Sequence, residues 1–315
     1  MSKQIADLTQ LVSTSTGLRQ QTKDETQCVE HIKMLRLYKE AGFDAVDFGF
    51  DKATSCDFVL NDDNWEAVIE SIANAGEELG IIFYQCHLPY IKQSSPLLDY
   101  RYKTPGFAER FEIYMERSIL ASARMGVRWA AVHPLTFPQD NYSRKASLKK
   151  NHEYFDKYVE LAKKHNIGIA FENQLPSLDR TMPEKYCQHY EDLMELVDSY
   201  HDSAVGICWD TGHANLMNFD QKKALLELGS RLKILHINDN YYGARDEHLL
   251  PFHGTINWNA FLEALAEISY EGLLNYESGE VFTEEQSDAG IELLNEKVSN
   301  CKVLIARYNR IRGVS

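Results

Sequence analysis

Along most of the chain, apolar runs of five to seven residues alternate with longer segments in which apolar positions recur at helical spacing. The short runs fall at 8–13, 45–49, 81–87, 129–133, 168–172, 205–210, 233–237 and 272–277, which predicts eight strands. Helices are predicted between them at 25–41, 65–79, 107–125, 154–165, 184–200 and 258–268, with a closing one at 288–308. In 25–41, Val29, Ile32, Leu35, Leu37 and Tyr38 supply a broad apolar face. Gly42, Gly80, Gly126 and Gly168 stand near the helix-to-strand joins, where a left-handed cap commonly ends a helix. The first run, LTQLVS, is more polar than the others and also reads as loop. Strict β–α alternation without a long Pro/Gly/Ser linker predicts an α/β fold, a (β/α)₈ barrel forming a single domain over 1–315. A doubly wound open sheet would carry a glycine-rich phosphate turn after its first strand, and the sequence has none.

Composition narrows the partners more than the fold. Hydrophobic residues make up 44% of the 315 and charged residues 25%, an ordinary globular balance. The formal charge of −14 argues against nucleic acid or an anionic membrane surface as a partner, unless a basic groove or a bound metal cluster overrides it locally. The longest basic cluster, RKASLKK at 144–150, reads as a solvated helix N-terminal region. Without a spanning apolar run or a recognisable leader, a cytoplasmic protein is expected. The six cysteines are scattered and read as reduced thiols, mostly in the core.

The informative feature is how the apolar runs end. IIFYQCH, WAAVH, GIAFE, VGICWD, KILHIN and GLLNYE place His87, His133, Glu172, Asp210, His236 and Glu277 at or near the C-terminal ends of six strands. One polar residue there is an ordinary exit to solvent. Six, all of metal-ligand type, are expected to share a site, because strand C-termini converge on one mouth of such a barrel. Carboxylates and imidazoles crowded there would shift one another's pKa strongly unless a cation neutralised them. Three carboxylates and one imidazole suit Mn²⁺, Mg²⁺ or Co²⁺, with Zn²⁺ also compatible, and no organic cofactor is called for. Two spacings add candidates: Asp210 and His213 in CWDTGHAN, and Asp246 and His248 in an extended D-x-H after Asn238 and Asp239.

With HLPY, VHP, FEN, WDTGH, LHINDN, DEHLLPFHG and NYES in this order, the chain resembles the xylose isomerase-like barrel superfamily. That superfamily holds sugar isomerases and epimerases, ketose 3-epimerases, inosose dehydratases and the endonuclease IV type of apurinic-site nuclease. The epimerase branch implies a metal held by Glu172, Asp210, His236 and Glu277. There the two glutamates move a proton alpha to a carbonyl through a metal-stabilised enediolate, acting on a small carbohydrate. His213 matches a substrate contact of that branch. Its substrate-contacting arginine has no match at the same spacing; Tyr242 stands there, with Arg245 nearby. A lyase of the inosose dehydratase or oxo-glycoside type would begin with the same proton abstraction.

The nuclease branch implies three metals, whose ligands match His87, His133, Glu172, Asp210, His213, His236, Asp246, His248 and Glu277. Against it, LVSTSTGLRQ lacks the G-x-H-x-S opening, and IKQSSPLLDYRYK departs from the pattern. In sugar-acting relatives the extra histidines contact substrate. Members of the superfamily often pair as dimers or tetramers, so a homo-oligomer is compatible with the resemblance. Trp209 and Trp258 are candidate sugar platforms with core packing as the competing role, and Tyr90 could line the mouth. His31, His152, His165, His189 and His201 read as packing or surface residues.

Overall fold

The computed structural model describes residues 7–17, 26–50, 60, 62–90, 106–137, 142–176, 184–243, 245–278 and 288–314; at 17, 26–30, 107 and 288–290 only the backbone is described. Residue 25, Cys56, the side chain of Cys28, residues 18–20 of the opening segment and all of IKQSSPLLDYRYK therefore lie outside the described residues.

The strands are β1 (Ser13–Gly17), β2 (Ala45–Gly49), β3 (Gln85–His87), β4 (Trp129–Val132), β5 (Gly168–Glu172), β6 (Val205–Asp210), β7 (Leu232–His236) and β8 (Asn275–Tyr276). They form two parallel sheets, ordered β2-β1-β8 and β3-β4-β5-β6-β7. Isolated parallel bridges join the sheets at both seams, Ala45 to Ile82 and Ile237 to Tyr276. Each strand thus lies beside its neighbour in sequence, and β8 returns to β1. The crossovers carry α1 (Thr26–Ala41), α2 (Trp65–Leu79), α3 (Phe107–Met125), α4 (Arg144–Lys164), α5 (Tyr190–Ser199), α6 (Thr211–Leu216), α7 (Gln221–Leu228) and α8 (Trp258–Glu267), and α9 (Asp288–Arg312) follows β8. Among the described residues no helix is long and apolar enough to cross a membrane.

Period-two alternation divides the strands between two environments. Val46, Phe48, Ile169, Phe171, Ile207, Trp209 and Leu235 belong to the large core beneath the helices. On the opposite faces Ala131, Ala170, Cys208 and Ile234 form a small cluster of their own. Two residues further along the same four faces stand His133, Glu172, Asp210 and His236. Apolar residues therefore floor the interior, and carboxylates and imidazoles stand above them.

Several boundaries depart from the sequence reading. The first strand is not 8–13: Leu8–Gln10 is a 3-10 turn capped by Asp7, whose carboxylate accepts from the Thr9 N–H at 3.0 Å. β1 instead pairs Ser13 with Ala45 and Gly17 with Gly49. Its polarity misled because the Ser13 hydroxyl faces inward and donates to Asn275 Oδ1 at 2.7 Å, so Ser13 and Thr14 are polar and yet buried. α4 starts at Arg144, capped by Ser143 (Ala146 N–H to Oγ, 3.3 Å), so RKASLKK is its first two turns. α5 begins only at Tyr190, since Cys187 has φ of 63° and His189 is extended. The short α6 and α7, which the periodicity did not reveal, begin at the capping carboxylates of Asp210 and Asp220. Gly168 opens β5 and is not a cap; the left-handed residue at that join is Asn166 (φ 59°). Gly168 is there for space: an added Cβ would lie 2.3 Å from the Trp129 ring.

The described cysteines, Cys86, Cys187, Cys208 and Cys301, are free and buried. His31 is buried beside Phe48, and His152 hydrogen-bonds Asp156 and Ser199 on the helix layer. His165, His189 and His201 are exposed.

Candidate metal centre

All six strand-end residues converge, and Glu172 is their centre. Its Oε2 lies 3.2 Å from Nε2 of both His87 and His133. Its Oε1 lies 3.3 Å from His236 Nδ1 and 3.6 Å from His213 Nδ1. His236 Nδ1 is also 3.1 Å from Glu277 Oε2. One donor atom from each of Glu172, Asp210, His236 and Glu277 falls within 4.8 Å of all the others; so do those of His87, His133 and Glu172, and those of Glu172, Cys208 and His236. Asp246 and His248 arrive from the loop after β7: Asp246 Oδ2 is 3.0 Å from His248 Nε2 and 3.6 Å from His213 Nε2.

The ring tautomers are set from behind. His87 Nδ1–H donates to the Leu88 carbonyl (2.7 Å), His213 Nδ1–H to that of Asn173 (2.8 Å) and His248 Nδ1–H to that of Glu277 (2.6 Å). In each ring Nε2 is then left to face carboxylates, the arrangement in which imidazole serves as a ligand. Asparagines not singled out from the sequence hold Asp210. Asn173 accepts from the Asp210 N–H (2.7 Å) and donates to its carbonyl (2.9 Å), while Asn238 Nδ2 donates to Asp210 Oδ2 (2.8 Å). Gly212 keeps that contact open, because a Cβ there would fall 1.8 Å from Asn238 Oδ1. The signal for both asparagines was their place inside FEN and LHINDN, immediately beside a candidate ligand.

The electrostatics are those of a carboxylate cluster in need of positive charge. Burial alone would raise the Glu172 carboxyl, but the His236 and His133 imidazoles overcome it and hold the group well below the ordinary carboxylate range. Burial is likewise outweighed at Glu277, which His236 holds down to about 2, and at Asp246, which His213 and His248 lower. Asp210 goes the other way: burial, reinforced by neighbouring carboxylates and only partly offset by His213, pushes it up to about 7. Burial is overcome at His213, which Asp210 and Asp246 pull well above the usual imidazole value, and at His236, which Glu277 and Glu172 also raise. His248 is half-buried, and although that desolvation would lower it, it rises to about 10 beside Asp246. At His133 burial wins, and the ring is pushed towards neutrality.

A divalent ion fits this donor set. His236 Nδ1 is buried and has no hydrogen-bond partner of adequate geometry among the described residues, although two carboxylate oxygens lie within 3.3 Å of it. Two carboxylates closing on one imidazole nitrogen are an arrangement that needs a positive charge between them, supplied by a proton on the ring or by a shared metal ion.

The remaining candidates separate. Trp209 is not a sugar platform: it is fully buried, its Nε1–H donates to Gln221 Oε1 at 3.1 Å, and its ring stacks on Phe219. As the residue before Asp210 on β6, it points to the opposite face, under the helices. Trp258 is also core, its indole N–H donating to Asp239 Oδ2 at 2.8 Å. Arg245 and Tyr242 are exposed on the loop that carries Asp246. Tyr90 does reach the mouth, its ring 4.2 Å from that of His133. The sequence reading overlooked Asp47, a buried acid in the middle of β2 whose Oδ2 lies 3.2 Å from His236 Nε2. A lone acid inside the apolar run AVDFG was the available signal.

Comparison with known proteins agrees with this architecture. The chain is 37% identical over 113 residues to the uncharacterised protein y4fM of Sinorhizobium fredii, covering 36% of this chain and 34% of that protein. It is 31% identical over 179 residues to the uncharacterised protein MJ1311 of Methanocaldococcus jannaschii (53% and 58%). It is also 30% identical over 82 residues to the D-psicose 3-epimerase of Enterocloster bolteae (26% and 25%). The matched stretches thus span less than two thirds of these relatives. Among solved structures, a D-tagatose 3-epimerase-like protein superposes with a TM-score of 0.64 at 19% identity, covering 96% of this chain and 98% of its own. The IolI protein with a bound zinc atom superposes with 0.64 at 16% identity (95% and 98%). Residues 35–297 match the sequence profile of the Xylose isomerase-like TIM barrel, and the chain belongs to that family.

Proposed function

We propose that this chain is a divalent-metal-dependent isomerase or epimerase of a sugar or sugar derivative. The observation that carries the reading is the four-residue donor set of Glu172, Asp210, His236 and Glu277 at the strand C-termini. It is supported by the fold shared with sugar epimerases and with a zinc-binding relative. When bound, the ion supplies Lewis-acid polarisation of vicinal substrate oxygens. Glu277, whose side chain is 31% exposed, is the carboxylate reachable from the mouth, and it would take a proton from the carbon alpha to the carbonyl. Glu172 would return a proton on the opposite face, and for that it would have to enter the step carrying one, so the two glutamates would start in opposite protonation states. His213, Tyr90 and His133 would contact the sugar.

Elemental analysis of the purified protein and solvent-exchange measurements on a panel of ketoses test this reading. One divalent ion per chain, with deuterium incorporated alpha to the ketose carbonyl in D₂O, is the expected result. Failure to retain any divalent ion would sink it.

One observation favours a second reading, the apurinic-site nuclease. His87 and His133 share Oε2 of Glu172 while Asp246 draws His213 and His248 together, so the mouth offers donor groups for more than one ion. Two or three Zn²⁺ per chain and incision of abasic DNA would replace the first reading with this one.

Proton linkage gives a further expectation. After removal of divalent ions with a chelator, the protein should lose stability as pH rises. His213, His236 and His248 have folded pKa values above the unfolded one. Their stabilisation is therefore complete below about 6.5. It is lost as pH rises through the folded values, about 10 for His248. Asp210, also raised, adds a loss of the same sign as pH climbs towards about 7. The lowered Glu172, Glu277 and Asp246 act only in acid, where stabilisation falls as pH drops through their folded values, about 2 for Glu277. Saturating Mn²⁺ supplies the positive charge without protons and should flatten the alkaline loss. Calorimetric Tm values at neutral and alkaline pH, with and without Mn²⁺, check this; a chelated protein equally stable at both would contradict it.

A further inference from the structure

His236 is oriented differently from the other site histidines. His87, His213 and His248 each give Nδ1–H to a backbone carbonyl and turn Nε2 towards the carboxylates. His236 is reversed: Nδ1 faces Glu172 and Glu277, and Nε2 lies 3.2 Å from Asp47 Oδ2. The acceptor behind this ring is thus a side-chain carboxylate, and that carboxylate is 1% exposed. Among the described ion pairs its partner is His236.

Asp47 is itself held from two other strands. Its Oδ2 accepts from Gln85 Nε2 at 2.8 Å and from Asn275 Nδ2 at 3.2 Å. Asn275 is fixed in turn by β1: its Oδ1 accepts from the Ser13 hydroxyl at 2.7 Å, and its Nδ2 also donates to Ser15 Oγ at 2.9 Å. Gln85 stands two residues before His87, and Asn275 two before Glu277, so period-two alternation sets both beneath the mouth on the inward face. A buried carboxylate is costly unless hydrogen-bonded and paired, and this one collects its donors on a single oxygen.

We propose that Asp47, held by Gln85 and Asn275, is a positioning residue that keeps His236 as the Nε2–H tautomer, with the Nδ1 lone pair aimed between Glu172 and Glu277. This rests on the reading that those carboxylates and His236 hold a divalent ion. Asp47 does not touch the ion or the substrate; it acts through the ring. The inward polar half-layer formed by Ser13, Asp47, Gln85 and Asn275 thereby acquires a role that the apolar half-layer of Ala131, Ala170, Cys208 and Ile234 does not share.

The test uses Zn²⁺ as the probe on the full chain, with affinity read by competition against a chromophoric chelator and the His236 tautomer read from long-range ¹H–¹⁵N correlations of the Zn²⁺-loaded protein. Asp47→Ala removes the acceptor and is expected to weaken Zn²⁺ binding about 10–100-fold and to abolish the single Nε2–H pattern of His236. Asp47→Asn keeps an uncharged acceptor, is expected to fall between alanine and wild type, and carries the test if the alanine variant does not fold. Wild-type Zn²⁺ affinity together with an unchanged His236 pattern in the variants that fold overturns the proposal. If the wild-type protein itself binds no Zn²⁺, the ion-holding reading fails first, and the role of Asp47 with it.

Discussion

Glu172→Gln is expected to abolish turnover of whichever ketose the wild-type protein exchanges, lowering the rate by about 10²–10⁴-fold, and to reduce the retained metal. The reason is geometric as well as chemical. Both oxygens of this carboxylate are used, Oε2 between His87 and His133 and Oε1 beside His236 and His213. An amide has one acceptor oxygen and one donor nitrogen, so either orientation turns an N–H towards a ring nitrogen or an ion that needs an anionic ligand. Glutamine has the same shape, and the surrounding core of β5 is untouched, so the circular dichroism spectrum should stay native. Paired measurements of exchange rate and metal content therefore separate this prediction from simple unfolding. A Glu172→Gln protein that kept near-wild-type turnover would remove Glu172 from the chemistry.

The second large effect is on stability. Trp209→Ala should destabilise the protein by about 3–5 kcal/mol, the usual range for deleting a buried aromatic side chain. Trp209 is fully buried, stacks on Phe219, meets Tyr190 edge-on and satisfies its indole N–H on Gln221. Gln221 in turn donates to the Thr211 carbonyl at 3.0 Å, so the indole also steadies the turn that carries Asp210 and His213. Urea denaturation gives the measurement. A raised KM with an unchanged denaturation midpoint would instead mean that the ring meets substrate, and would contradict its place under the helices.

Much of this site was legible in one dimension because a parallel barrel converts strand order into proximity. Wherever an apolar run ended in a carboxylate or an imidazole, the strand end itself placed that group at the common mouth, and for His87, His133, Glu172, Asp210, His236 and Glu277 no long-range information was needed. His213 was legible for a related reason, since it lies one short turn after Asp210; Asp246 and His248 do meet, but not as the extended D-x-H expected, because His248 is left-handed (φ 49°). The helices 65–79 and 107–125 were readable to the residue, their apolar period being closed by a glycine at each C-terminus.

What the chain alone determined was therefore the succession of strands and the carboxylates and imidazoles that stand at their ends, both of which depend on local period and on strand ends. Only the tertiary structure decided what depends on contacts between distant strands. The polar stretch Ser13–Gly17 became a strand because Ser13 meets Asn275, 262 residues away. Trp209 became core and Asp210 site because alternation on β6 sends adjacent residues to opposite faces. Asp47 joined the site because His236, 189 residues distant, turns its Nε2 towards it. Hydrogen bonds of that span leave no periodic trace in a sequence, since the partner that makes a buried polar side chain tolerable is supplied only when the strands close side by side.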